Sequence, residues 1–382
     1  MQSRQNRSTK EYNEWILIIE GSKAMRLIRA FIAFIILFVL ALGGFYLLAK
    51  NDLTPDEAVH DMGNMLDQKK SMTKSKSVPE SKLSKITVKG DLFQWVGKTK
   101  DQLTENFGKP VRIDKSAYGY DWWVYTDKQD QYIQFGVEDD KVTTVYATGD
   151  DLSIDPIYVG QSYDAVNEQF SFKKDMTYKD GVKSYTFHLN DEDMKMRPLA
   201  KIADNLFVQC YFDTFTDKLS SIRILTADSL LKQRAYQIEY RGGLPDVPEL
   251  SDKEWQEVES GMEQQIFDIT NVMRSQFDKS KVAWNKTVSE VAFLHSEDMS
   301  KNDYFSHYSK NGNGLKERLA EKKVHYATAG ENIAAQYPDA PAAMEGWLNS
   351  EGHRKALLND DYTHLGVGVY HLYYTQNFIE IP

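Results

Sequence analysis

The sequence predicts an α+β protein in which a tandem pair of helix-plus-three-strand units precedes a helix-rich C-terminal domain. Three observations carry this. VGKTKDQLTENF (96–107) returns as VGQSYDAVNEQF (159–170), and DKVTTV (140–145) returns as DKLSSI (217–222). Runs of aromatic and β-branched residues follow each copy, the signature of strands. After GGLPDVPEL (242–250) the apolar spacing becomes helical.

Composition bounds the function. A chain of 382 residues is long enough for two ordinary domains, and 41% hydrophobic residues with 12% aromatics suffice for packed cores. The net charge of −10 argues against a nucleic-acid partner, which needs a basic face to displace counterions. The single cysteine, Cys210, cannot form an intramolecular disulfide and lies in the apolar run LFVQCYF, so it reads as a buried small hydrophobe. An exported protein without disulfides fits a bacterial surface, in a cell without an outer membrane.

Residues 1–29 read as a cytoplasmic tail or a signal n-region, since Met25 opens a basic segment of its own. Residues 30–49, AFIAFIILFVLALGGFYLLA, are an uncharged run of 20, enough to cross a bilayer as a helix. Lys23, Arg26 and Arg29 precede it, which places the N-terminus inside and the rest of the chain outside the cell membrane. The run exceeds a cleavable signal's apolar core, and Leu47 stands where a small residue is wanted, so a retained signal-anchor is expected; cleavage would give a secreted protein. Residues 50–90 follow as a linker. Within it, 68–89 carry seven lysines against one glutamate and no period, a flexible stalk.

Residues 91–241 hold the repeat. Each copy opens with Gly-x-Thr/Ser, a helix N-cap signal, and continues into an amphipathic helix. The expected strands are YDWWVYT, QYIQFGV and KVTTVYA in the first copy, and KSYTFHL, LFVQCYF and LSSIRIL in the second. One such unit leaves a sheet face bare, so the two are expected to cover each other. Its aromatics point to a protein partner or, more simply, to core. His188 stands alone on a strand and reads as structural.

Residues 242–252 form a linker with two glycines and two prolines, and 253–382 form the C-terminal domain. Ser251 and Glu254 make a capping box, after which Trp255, Val258, Met262, Ile266, Ile269, Met273 and Phe277 define one long helix. Thr287 and Glu290 are expected to cap a second helix with His295 on its core face. Six of the eight histidines fall between 295 and 371. His295 reads as a satisfied core imidazole, His325 and His371 as solvated, and His364 as a strand start. His307, at the end of NDYFSH, and His353, after a glycine at a helix start, are placed for a site. Glu331, in AGENIAA beside Asn332, is half-buried and needs a partner.

HSEDM, NDYFSH, GENIAA, WLNSEGHR and THLGVGVY, followed by YYTQNF, resemble in order and spacing the bacterial CAP superfamily, also called SCP or PR-1-like. The resemblance covers about residues 258–382, and the repeat is similar to the small domain that precedes CAP domains in some bacterial surface proteins. It implies an α-β-α sandwich with a shallow cleft. It also implies a cleft group of two histidines and two acids, of which His307, Glu331 and His353 match three. The fourth position falls on Ser350, which removes a carboxylate, and Glu351 stands next to it. Ser350, Glu351 and Asn332 are expected to line the cleft.

Two imidazoles and a carboxylate could hold a divalent metal such as zinc, or do acid–base work. Ser350 and His353 also suggest a nucleophile with its base, although Ser350 fits better as the cap of the helix that follows. The same residues equally suit a polar core pinning three loops. Three functions stay open: a membrane-anchored surface protein binding a small apolar ligand, lipid, wall fragment or protein; a metal-assisted hydrolase; and a structural envelope module.

Overall fold

The computed structural model describes residues 90–126 and 130–381; the expected tail, the anchor and residues 50–89 of the linker lie outside the described residues. Each repeat starts as its sequence dictates. Thr99 caps α1 (Lys100–Phe107): its hydroxyl accepts from the Gln102 amide at 3.2 Å, and Gln102 Oε1 accepts from the Thr99 amide at 3.0 Å. Strands β1 (Arg112–Lys115), β2 (Asp121–Thr126), β3 (Gln131–Glu138) and β4 (Lys141–Gly149) follow. In the second copy Ser162 caps α2 (Tyr163–Phe170). Then come β5 (Asp175–Asp180), β6 (Lys183–His188), α3 (Asp191–Met196), β7 (Leu199–Ala203), β8 (Leu206–Asp213), β9 (Lys218–Thr226), α4 (Ala227–Gln233) and β10 (Gln237–Arg241).

The two copies do not cover each other. They join edge to edge through β4 and β9 into one seven-stranded antiparallel sheet, β1-β2-β3-β4-β9-β8-β7. KSYTFHL forms β6 of a separate three-stranded sheet, β10-β6-β5, and LAKIA, not foreseen as a strand, takes the place expected for KSYTFHL, as β7. The reason is burial: Tyr185 and Phe187 of β6 pack with Phe207, Leu225 and the apolar side of α4. His188 is structural, as expected: its Nδ1 lies 2.8 Å from Asp175 on β5, and its Nε2 lies 3.5 Å from Glu239 on β10.

Strand alternation gives the large sheet two unlike faces. One row across five strands reads Phe135, Val145, Ile224, Val208 and Ala200. These join Leu103, Val166 and Phe170 from α1 and α2 in an apolar core. The adjacent row reads Gln134, Tyr146, Arg223 and Gln209. All four side chains are buried.

What buries them is the C-terminal domain. Its elements are α5 (Asp252–Gln276), β11 (Ala283–Trp284), α6 (Lys286–Lys301), α7 (Leu315–Glu321), β12 (Ala329–Ala335), α8 (Ala340–Leu348), α9 (Glu351–Leu357), β13 (His364–Tyr370) and β14 (Tyr373–Ile379). The capping box of Ser251 and Glu254 starts α5 as expected. The cap of α6 is Asn285 rather than Thr287, because the Asn285 side chain already accepts from the Val288 amide at 3.1 Å. Strands β11-β13-β14-β12 form the domain's sheet. On one face, a Cβ on Gly368 would come within 1.9 Å of the Phe293 amide, and one on Gly366 within 2.2 Å of the Ser289 amide. These glycines let α6 lie directly on the sheet. On the other face, Val367, Val369, Tyr374 and Phe378 pack with residues of α5 and α8. The chain turns from β13 to β14 at His371 and Leu372, both with positive φ. His371 keeps 40% of its side chain exposed and also stacks on Trp255, with centroids 4.7 Å apart.

Helices α5 and α8 therefore lie between two sheets, and one core runs from Tyr120, Trp122, Tyr146 and Tyr211 through α5 and α8 to β13 and β14. Both domains fall within one compact unit. The contact is polar as well as apolar. Arg223 Nη2 donates to Asp339 Oδ1 at 2.8 Å, with both side chains wholly buried. Asp339 also caps α8 by accepting from the Ala342 amide. Arg112 bridges Asp114 and Asp268 on α5, each at 2.8 Å. Glu345 on α8 pairs with no cation among the described residues: it accepts from the hydroxyls of Ser220 at 2.6 Å, Ser221 at 2.5 Å and Tyr146 at 3.2 Å. Burial pushes its carboxyl up to about 7 despite those three donors.

This predicts a pH dependence. Glu345 titrates higher in the folded state than in the unfolded chain, so its favourable contribution is complete below pH 4.5 and is lost as pH rises through about 7. In Glu345→Gln the fall in thermal midpoint between pH 5 and pH 8 should shrink. Glu259 and Glu263, also pushed up to about 7 by burial, would retain part of it. A fall as steep as in the wild type would show that Glu345 does not titrate in this range.

Candidate functional site

Alternation on β12 sends Glu331 and Asn332 to opposite faces of the C-terminal sheet. Glu331 turns toward α6 and α7, where its side chain is only 4% exposed. Arg318 of α7 donates Nη2 to Glu331 Oε2 at 2.5 Å and Nη1 to the His307 carbonyl at 3.0 Å. His307 Nδ1 lies 2.9 Å from Glu331 Oε1, so the carboxylate accepts from Nδ1 and Nε2 takes no part in that bond. One arginine thus holds both the carboxylate and the loop that carries the histidine. His307 itself is half exposed.

His295 belongs to this group rather than to a detached core. Its Nε2 donates to the Ser306 carbonyl at 3.0 Å and lies 4.0 Å from Glu331 Oε1. Burial pushes its pKa down, so the ring is neutral at neutral pH. Of the other histidines, His364 opens β13 and bonds Thr363, and His325 is exposed, both as expected.

Ser350 occupies the N-cap position of α9, and its carbonyl accepts from the Arg354 amide at 2.7 Å, yet its side chain does not cap. Its hydroxyl lies 2.9 Å from His353 Nδ1 instead. Burial, then the nearby His307, pushes the His353 pKa down. Asn332, expected at the cleft wall, is wholly buried because of the alternation on β12. It donates to the His353 carbonyl at 3.1 Å and to Gln376 at 3.2 Å, supporting α9 from inside. Glu351 does not replace the missing acid, since its exposed carboxylate pairs with Lys355 at 2.7 Å.

The N-terminal domain also holds α9. Arg354, next to His353, grips Asp213 at the end of β8 with two bonds of 2.9 Å. Asn349 accepts from the Thr214 amide at 2.7 Å and donates to the Phe212 carbonyl at 2.9 Å. Sequence reasoning missed Arg318, Asp213, Asn349 and Arg354. LKERLAEKK and WLNSEGHRK present their arginines among other charged residues, and nothing local marks those two as the ones whose partners are buried.

A tetrahedral zinc centre takes three or four protein ligands. Both oxygens of Glu331 are engaged by His307 and Arg318, and a serine stands at the fourth position. Among the described residues no three His, Cys, Asp or Glu side chains converge to hold a metal. The donor set left is two imidazoles, which does not fit a zinc centre. Nor does any carboxylate among the described residues pair with His353 to orient it as a base for Ser350.

Residues 267–379 match the Cysteine-rich secretory protein (CAP) family, and residues 96–236 match the CAP-associated N-terminal family. The chain is 49% identical over 289 residues to the Uncharacterized membrane protein YlbC of Bacillus subtilis (strain 168), covering 76% of this chain and 83% of that one. An extracellular protein containing a SCP domain from Bacillus anthracis str. Ames superposes with a TM-score of 0.72 at 41% identity, over 81% of this chain and 99% of the other. A cysteine-rich secretory protein (SAV1118) from Staphylococcus aureus subsp. aureus Mu50 gives 0.69 at 27% identity, over 77% and 93%. The protein belongs to the bacterial CAP superfamily and carries a CAP-associated N-terminal domain.

Removing the cation from a buried pair leaves an uncompensated charge, which costs about 3–5 kcal/mol. Arg318→Ala should therefore destabilise residues 90–382 by roughly that amount in denaturant unfolding. A loss below about 1 kcal/mol, the scale of a surface pair, would show that Glu331 does not depend on Arg318.

Proposed function

We propose that this protein is a membrane-anchored, extracytoplasmic binding protein whose cleft between His307 and His353 holds a small wall-derived fragment. The observation that supports this most is that Glu331 is paired with Arg318 and has its other oxygen bonded to His307. It turns the expected reactive carboxylate into a fixture. The cleft is left with the free edge of His307, a neutral His353 and the Ser350 hydroxyl, a set suited to hydrogen-bonding an uncharged polar group. The apolar run 30–49 and the relative described as a membrane protein support the anchor. No helix among the described residues is long and apolar enough to cross a membrane.

The test is co-sedimentation of residues 90–382 with purified peptidoglycan sacculi. The wild type should be retained, and His307→Ala and His353→Ala should each weaken retention about tenfold, the worth of one hydrogen bond to a ligand. Equal retention of all three, or none by the wild type, would overturn the reading. The 2.9 Å contact of Ser350 with His353 is the one feature that favours a hydrolase. That reading would require soluble fragments released from the sacculi by the wild type and not by Ser350→Ala.

A further inference from the structure

The face of the large sheet turned away from the CAP domain is covered unevenly. In the second copy of the repeat Phe170, the last residue of α2, is 2% exposed and packs with Phe93 and Phe172. Its counterpart in the first copy, Phe107 at the end of α1, is 36% exposed. Beyond it the first copy adds a fourth strand to the sheet, β1, which the second copy lacks. There Val111 is 56% and Ile113 is 53% exposed. Ile113 stands opposite Trp123, and Trp123 opposite Phe135, so these side chains continue the apolar row of the sheet. Val111, two residues earlier along the same extended edge, lies on the same side. Half-buried Trp95 and Tyr125 join the patch through Phe107, with ring centroids 5.1 and 5.5 Å from it.

Large apolar side chains left together in water mark a contact surface. What meets this one is indicated by where the chain arrives. Asp91–Gln94 form a single turn whose Leu92 and Phe93 sink into the core beneath α1 and α2, and Trp95 follows directly. Residues 50–89 separate that turn from the apolar run 30–49, so the face that receives the chain from the anchor also carries the patch. Its make-up agrees. Trp and Tyr have an apolar body with a polar tip and settle at the boundary between headgroup and hydrocarbon, where branched aliphatic side chains can follow them. Charge adds little, because the exposed Lys98 and Lys109 are offset by Asp101 and Glu105 on α1.

We propose that this patch seats the repeat domain on the outer surface of the membrane, with Phe107, Val111 and Ile113 entering the headgroup boundary. The inference rests on the anchor reading of residues 30–49 and not on the reading of the cleft. The anchor makes the contact intramolecular, so a weak affinity for lipid suffices to fix an orientation. That orientation follows from the sheet. Trp122 and Tyr146, on its opposite face, pack with α5 and α8. The seated protein therefore carries its CAP domain on the side away from the lipid, turned toward the wall.

The test is co-sedimentation of residues 90–382, which lie within one compact unit and lack the anchor, with vesicles of phosphatidylglycerol and phosphatidylethanolamine in equal parts. The wild type should be retained increasingly as lipid rises into the millimolar range, and raised salt should not release it. Val111→Glu combined with Ile113→Glu should weaken retention at least tenfold, with a thermal midpoint close to the wild type's because both positions are exposed. Val182→Glu, at the exposed turn between β5 and β6, should leave retention unchanged. No retention of the wild type at millimolar lipid, or equal retention of the double variant, would overturn the proposal and leave the anchor reading standing. Self-association without lipid, seen by sedimentation velocity and abolished in the double variant, would also overturn it, because the patch would then join two copies. Release of the full-length chain from membranes by alkaline carbonate would instead overturn the anchor reading, and the proposal with it.

Discussion

The buried pair of Arg223 and Asp339 organises this molecule. Its two charges come from different domains, and each also serves its own. Arg223 lies in the polar row of the large sheet, with Tyr146 and Tyr211 about its guanidinium at 5.7 and 6.0 Å. Asp339 caps α8, the helix that packs against the C-terminal sheet. Removing either partner would strand a charge far from water, a penalty larger than most single contacts contribute. The pair thus selects one docking geometry, and the weaker contacts around it follow.

From that anchor the chain runs through a short series of fixed points to His353. Asp339 starts α8, Glu345 takes three hydroxyls of the large sheet, and Asn349 and Arg354 hold the turn after β8. His353 lies among these points. On the other wall, His307 is set by Arg318 and Glu331 within the CAP domain alone. His307 and His353 therefore have different supports, one within the CAP domain and one borrowed from the N-terminal domain. That division means that the CAP-associated domain helps to hold α9, the helix that carries His353.

Much of this was legible in the sequence, for reasons that can be named. Caps at Thr99, Ser162 and Ser251 depend on residues three apart, so local pattern suffices. The C-terminal motifs singled out His307, Glu331 and His353, and the structure brings His307 onto Glu331 and near His353. What failed depended on contacts far along the chain. Alternating polar residues such as Gln134, Arg223 and Gln209 carry no local sign of burial, and only the second domain makes their face a core. Joining two repeats edge to edge rather than face to face turns on the β4–β9 pairing, which no local signal encodes. Ser350 has the residue type and position of a cap, and its hydroxyl nonetheless goes to His353. Asn332 follows Glu331 by one residue and so faces the opposite side of the sheet.

If the polar face of the large sheet is a true core, the CAP domain cannot fold properly without it. The most direct measurement is calorimetric unfolding of residues 90–382 beside an isolated 242–382 fragment, with near-UV circular dichroism of both. The expectation is one cooperative transition for the two-domain protein, and a fragment that lacks fixed aromatic packing and a sharp transition. Two separate transitions, or a fragment that melts cooperatively with native-like near-UV signals, would contradict it.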